Sequence, residues 1–126
     1  ATFTIGESKY TINGVEKTMD AASYIDANGR TMVPIRHIAN ALGVDDNKIV
    51  WNQATKTATI FGKNTVIITV GENKLTVNGA VVPMDTVAVN NNGRIFVPAR
   101  YIANALGASV EWDNANRVVT LTTIGL

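Results

Sequence analysis

Cysteine is absent from this chain, and histidine occurs once, at position 37. Without cysteine there is no disulfide framework, no thiol nucleophile and no thiolate metal site. One histidine cannot assemble a transition-metal centre alone. Charge is scarce too: Asp, Glu, Lys and Arg make up 17% of the 126 residues, below the roughly 25% of ordinary soluble domains. Their sum is +1, which offers no electrostatic case for nucleic acid or an acidic membrane. No apolar run approaches the roughly 20 residues of a spanning helix, so membrane insertion is not expected. No G-x-S-x-G, Walker A, G-x-G-x-x-G or H-E-x-x-H string occurs. The expectation is therefore no catalytic residue, no cofactor and no metal. The chain begins Ala-Thr-Phe-Thr without Met, as a mature protein does after signal-peptide removal and as an excised piece would.

What is present is ample apolar material, 46% of the residues, and a sequence that repeats itself. Residues 30–43 read R-T-M-V-P-I-R-H-I-A-N-A-L-G and residues 94–107 read R-I-F-V-P-A-R-Y-I-A-N-A-L-G. They differ only at Thr31/Ile95, Met32/Phe96, Ile35/Ala99 and His37/Tyr101. Upstream, 6–20 resembles 71–85; downstream, 51–60 resembles 112–121. Two copies, 1–62 and 65–126, account for almost the whole chain. A unit of about 60 residues is marginal alone, so the copies should pack on each other, as one unit.

Each copy reads as short strands plus one helix. Phe3–Ile5, Lys9–Ile12 and Val15–Thr18 are strand-like, with Asn13-Gly14 as a hairpin turn; Val66–Val70, Lys74–Val77, Asn78-Gly79 and Ala80–Pro83 repeat them. Further turns fall at Asn28-Gly29 and Asn92-Gly93. Pro34 and Pro98 suit the first turn of a helix, where the missing N–H needs no partner. Gly43 and Gly107 suit the residue past its end. Between them, Ile35, Ile38, Ala39 and Leu42, and Ala99, Ile102, Ala103 and Leu106, form apolar stripes to be docked on a sheet. A hairpin follows each helix, Ile49–Asn52 to Lys56–Phe61 and Val110–Asp113 to Arg117–Thr122. The predicted fold class is α+β: two tandem β-rich modules of antiparallel strands, each with one short helix on the sheet.

Gly62-Lys63-Asn64 between the copies has the length of a hairpin loop, so the last strand of the first copy should pair with the first strand of the second. By the same logic Thr2, Phe3, Thr4 and Ile5 lack a preceding strand, and Val119, Thr120, Leu121, Thr122 and Thr123 lack a following one. Each end should carry one vacant pairing position.

Duplication also sorts the candidate site residues, because what both copies keep answers first to the shared fold. Arg36 and Arg100 read as structural, bonding loop carbonyls or a carboxylate such as Asp20 or Asp85. Trp51 and Trp112 could be sugar-stacking platforms. Strand alternation instead puts them on the core face with Ile49 and Val110. His37, opposite Tyr101, reads as a partly exposed helix residue. Asp45-Asp46-Asn47 occurs only in the first copy; its spacing is not that of an EF-hand, and it reads as a solvated turn rather than a Ca²⁺ site. Asn90–Asn92 reads as a polar loop.

The string V-P-x-R-x-I-A-N-A-L-G, followed by V-x-W-[ND]-x-A and an alternating strand, resembles the copper amine oxidase N-terminal-like domain, also called the stalk domain of secreted Gram-positive proteins. Both copies carry it. The resemblance implies a secreted, cell-envelope module, often repeated. It implies no amine oxidase activity, because in that family the copper histidines and the cofactor tyrosine lie outside this domain. Three functions follow as expectations. The first is a non-enzymatic surface protein that self-associates head-to-tail by strand pairing of its ends into a fibre or surface layer. The second is a cell-wall or polysaccharide-binding module using Trp51, Trp112, Tyr10, Tyr24 and Tyr101. An enzyme is the least favoured of the three.

Overall fold

A computed structural model describes residues 1–19, 21–91 and 93–123, with the Thr123 side chain also left aside. The turn expected at Asn92-Gly93 and the possible Asp20 partner therefore fall partly or wholly outside the described residues. Along the chain, β1 (Thr2–Thr4), β2 (Lys9–Ile12) and β3 (Val15–Thr18) form a meander. β4 (Tyr24–Ile25) and β5 (Thr31–Pro34) form a hairpin that runs straight into α1 (Ile35–Ala41), and β6 (Ile49–Asn52) pairs with β7 (Thr57–Phe61). The order then recurs: β8 (Thr65–Thr69), β9 (Lys74–Val77), β10 (Ala80–Pro83), β11 (Val89–Asn91), β12 (Arg94–Pro98), α2 (Ala99–Ala105), β13 (Ala108–Asp113) and β14 (Val118–Thr123). Antiparallel strands with two short helices make an α+β fold.

Local chemistry sets these boundaries. Asn13 and Asn78 adopt φ of 51° and 52° ahead of Gly14 and Gly79, the left-handed pair that a two-residue hairpin turn requires. At 26–30 only Gly29 is left-handed. There Asp26 Oδ1 accepts the backbone N–H of Asn28 and Arg30, each at 2.9 Å, so this turn is built by an aspartate and not by an Asn-Gly pair. Gly43 and Gly107 close the helices at φ of 88° and 86°, where a Cβ would be strained. Pro34 and Pro98 sit one residue earlier than expected. They end β5 and β12 with extended ψ and act as the helix N-caps, because their carbonyls, not their missing N–H groups, begin the helical turn.

Among the described residues the strands form three sheets, ordered β13-β14-β1-β2-β3, β6-β7-β8-β9-β10 and β11-β12-β5-β4. Every sheet draws strands from both copies. The four-stranded sheet, absent from the reading of the sequence, joins them: Val33 of β5 faces Val97 of β12, flanked by Pro34–Phe96 and Met32–Pro98. These pairs exchange under the repeat, so an approximate twofold axis passes between Val33 and Val97. Both helices pack on β5 and β12 and against each other. Phe3, Val33, Ile38, Ile60, Val66, Ile68, Val97 and Ile102 are among the residues sealed into one core cluster.

The expected vacant edges are not vacant. β1 lies between β14 and β2, with Thr2 opposite Thr120, Phe3 opposite Val119 and Thr4 opposite Val118. Leu121 and Ala1 exchange backbone hydrogen bonds of 2.7 and 2.9 Å. This register copies the internal junction, where Thr59 faces Ile67, Ala58 faces Ile68 and Thr57 faces Thr69. The physical reason is the twofold arrangement: the contact that the 62–64 loop makes covalently in one sheet is made by the chain ends in the other. That loop is itself anchored, since Asn64 Nδ2 donates to the carbonyl of Ala105 at 2.8 Å.

Two outcomes test this closure. A circular permutant that joins residue 123 to residue 1 through Gly-Lys-Asn and opens the chain at 62–64 should keep the far-UV circular dichroism and one cooperative urea transition with an unchanged m-value. Phe3→Ala, at a fully buried ring stacked on Tyr10 with centroids 5.0 Å apart, should cost about 3–5 kcal/mol in the same titration.

Candidate functional site

Among the described residues, two surface clefts are copies of one another. The larger, about 590 Å³, is lined by Pro98, Ala99, Arg100 and Tyr101 at the start of α2 and by Val110, Trp112, Asn114, Arg117 and Val119 of the following hairpin. Ile25, Gly29, Arg30 and Thr31 of the opposite copy, with Asp85, complete it. The smaller, about 380 Å³, uses the equivalent Pro34, Ile35, Arg36, His37, Ile49, Trp51, Gln53 and Ala58, with Asn90, Gly93, Arg94 and Ile95 from the other side. The β5–β12 pairing places each helix start beside the other copy's hairpin. Neither cleft exists within one copy.

The tryptophans correct one expectation. Trp51 faces Ala58 and Trp112 faces Val119 across their hairpins, and both partners are buried. Paired residues share a face, so alternation gave the right side of the strand. Yet Trp51 is 36% exposed and Trp112 37%. They stand at the outer ends of the hairpins, where the core face runs out into the clefts. Each indole N–H is held by the loop beside it: Trp51 Nε1 donates to Gln53 Oε1 at 2.9 Å and Trp112 Nε1 to Asn114 Oδ1 at 3.4 Å.

Of the two repeated arginines, Arg36 finds a carboxylate as expected, Asp46, and Arg100 does not. Asp85 does not hold Arg100; it accepts from Arg30 Nε at 2.8 Å and pairs with Arg30 Nη2. Arg36 pairs with Asp46 at 3.3 Å, and Asn40 Nδ2 donates to Asp46 Oδ1 at 3.0 Å. The three-residue insertion at Asp45–Asn47 thus supplies the first copy with an ion pair that the second copy cannot make. Among the described residues, Arg100 and Arg117 form no ion pair, and no group of three His, Asp or Glu is placed to hold a metal. His37 is half-buried beside Tyr10, ring centroids 5.5 Å apart.

Next in sequence to Ile25 and Asp85 of the larger cleft, Asp26 and Thr86 tie the copies together: Thr86 Oγ1 donates to Asp26 Oδ2 at 2.5 Å. The Arg30 hydrogen bond, with Tyr101 acting the same way, lowers the Asp85 pKa to about 2. Its folded value lies below its unfolded value, so the stabilisation is complete above pH ~4 and is lost as pH falls through about 2. In a carboxyl-detected NMR titration Asp85 should titrate near 2, and in Arg30→Ala its midpoint should rise towards the ordinary aspartate range.

Sequence reasoning singled out Arg36, Arg100, Trp51 and Trp112 but not their convergence with Arg30, Asp85, Asn114 and Arg117. The signal that could have found it is the loop pair Gln53/Asn114 next to each tryptophan. Pro34, Pro98, Gly43 and Gly107 bound the helices. Of the end-strand residues, Thr2–Thr4 pair with Val118–Thr120, the Ile5 N–H donates to the Arg117 carbonyl at 2.9 Å, and Thr122 and Thr123 pair with Ser109 and Ala108 of β13; Val119 also lines the larger cleft. The family model for the copper amine oxidase N-terminal domain matches residues 1–47 and 11–121. No curated protein matches the chain significantly.

Proposed function

Because the chain belongs to the copper amine oxidase N-terminal domain family, matched at that domain and not at a catalytic one, we propose that it is a non-enzymatic, secreted cell-surface structural protein that self-associates through its end strands. In this reading β14 of one copy pairs with β1 of the next in the register seen within the chain, and successive exchanges build a head-to-tail fibre or surface layer. The surface location rests on the family resemblance and on a weakly charged, Thr- and Asn-rich composition.

One observation carries the proposal: the β1–β14 contact reproduces the β7–β8 contact without a covalent link. An intermolecular version needs no new interface, which is the economy of strand exchange. Opened ends would not stay open. Separation uncovers Phe3, Val119 and Leu121, each buried and each contributing about 1.5–3 kcal/mol, so a released strand is driven to re-pair with its own partner or with another copy's. Concentration decides between them, because the intramolecular partner has a local concentration on the order of millimolar.

Thr2 and Thr120 face each other at a position without mutual backbone hydrogen bonds, where Cα atoms lie about 4.5 Å apart and a disulfide fits. In a chain with no native cysteine, Thr2→Cys with Thr120→Cys should give, on oxidation at high concentration, a ladder of covalent multimers in non-reducing electrophoresis. Oxidation at high dilution should give the crosslinked monomer. A monomer band alone at every concentration would rule out exchange.

A further inference from the structure

We propose that the larger cleft is a binding site for a carboxylate-bearing polysaccharide, with Trp112 as the stacking surface and Arg100 and Arg117 as the carboxylate ligands. The repeat supplies an internal control. Both clefts present a partly exposed tryptophan whose N–H is already satisfied by an amide side chain. What remains for a ligand is the ring, whose negative face suits the C–H bonds of a sugar. The clefts differ in charge. In the smaller one, Arg36 is covered by Asp46 from the insertion unique to that copy. In the larger one the chain passes from Gly107 directly into β13, no acid among the described residues pairs with Arg100 as Asp46 does with Arg36, and Asp85 is committed to Arg30.

Arg100 and Arg117 therefore line the cleft as two exposed cations without an ion-pair partner among the described residues. Two guanidinium forks beside an aromatic ring are complementary to a sugar ring bearing a carboxylate, which they can hold bidentately. The volume, about 590 Å³, falls within the roughly 300–1,000 Å³ of small-ligand sites. A nucleic acid fits poorly, because a net charge of +1 provides no basic track beyond the cleft.

The test is titration of the full chain with de-esterified tetragalacturonate, its methyl ester, AMP and inorganic phosphate, followed by calorimetry and tryptophan fluorescence. Saturable binding of the acid tetramer is expected, weakened about tenfold or more by Arg100→Gln, by Trp112→Ala, by methyl esterification and by added salt. Trp51→Ala should leave it unchanged. Arg100→Gln, at an exposed position, should keep the wild-type melting temperature and the crosslinking pattern of the end-strand cysteines, so the site and the assembly fail separately. Absence of saturable binding up to on the order of 10 mM would overturn the proposal. So would indifference to Arg100→Gln, equal loss in Trp51→Ala, or tighter binding of AMP or of phosphate alone.

Discussion

The antiparallel pairing of β5 with β12 around Val33 and Val97 is the contact on which the rest of the molecule depends. It sets two copies of one sequence face to face about a twofold axis. Both valines and the prolines beside them are buried, and the helices that follow the prolines are delivered to the same side, against each other. Neither seven-residue helix would hold alone; each is stable because the other copy's strand and helix cover its apolar stripe. The outer sheets follow from that arrangement, since the twofold places the start of each copy beside the end of the other.

Much of this was legible. The strands β2, β3, β9 and β10, the Asn-Gly turns, the helices with their closing glycines and the hairpin at 62–64 follow from local chemistry that leaves a mark in a few neighbouring residues. The central sheet was not legible. Met32-Val33-Pro34 and Phe96-Val97-Pro98 are too short to declare a strand, and the proline pulls the eye towards the helix. The partner of each segment is its own repeat 64 residues away. No local pattern encodes a pairing that arises from symmetry. The same blindness produced the vacant ends: strand by strand they are unpaired, and only the axis brings them together.

The clefts show a related limit. Alternation correctly assigned Trp51 and Trp112 to the inner face of their hairpins, but a face is not a cover. Whether a residue on it is sealed or left at an opening depends on where the helices stop, which is a property of the assembled halves. Duplication then makes the two sites comparable, and a three-residue insertion makes them different. Asp46 neutralises Arg36 in one, while the shorter connection of the other leaves Arg100 facing solvent.

The way the ends meet has a mechanical side. Ala1 lies opposite Leu121, and the two strands run antiparallel from there, so both leave the sheet at the same end of the strand pair. Tension applied between them would not load the hydrogen bonds together, as in a sheared pair of strands. It would open them one after another, starting from Ala1 and Leu121. The geometry thus loads this seam in the unzipping direction, and Phe3, Val119 and Leu121, buried while it is closed, favour its closing.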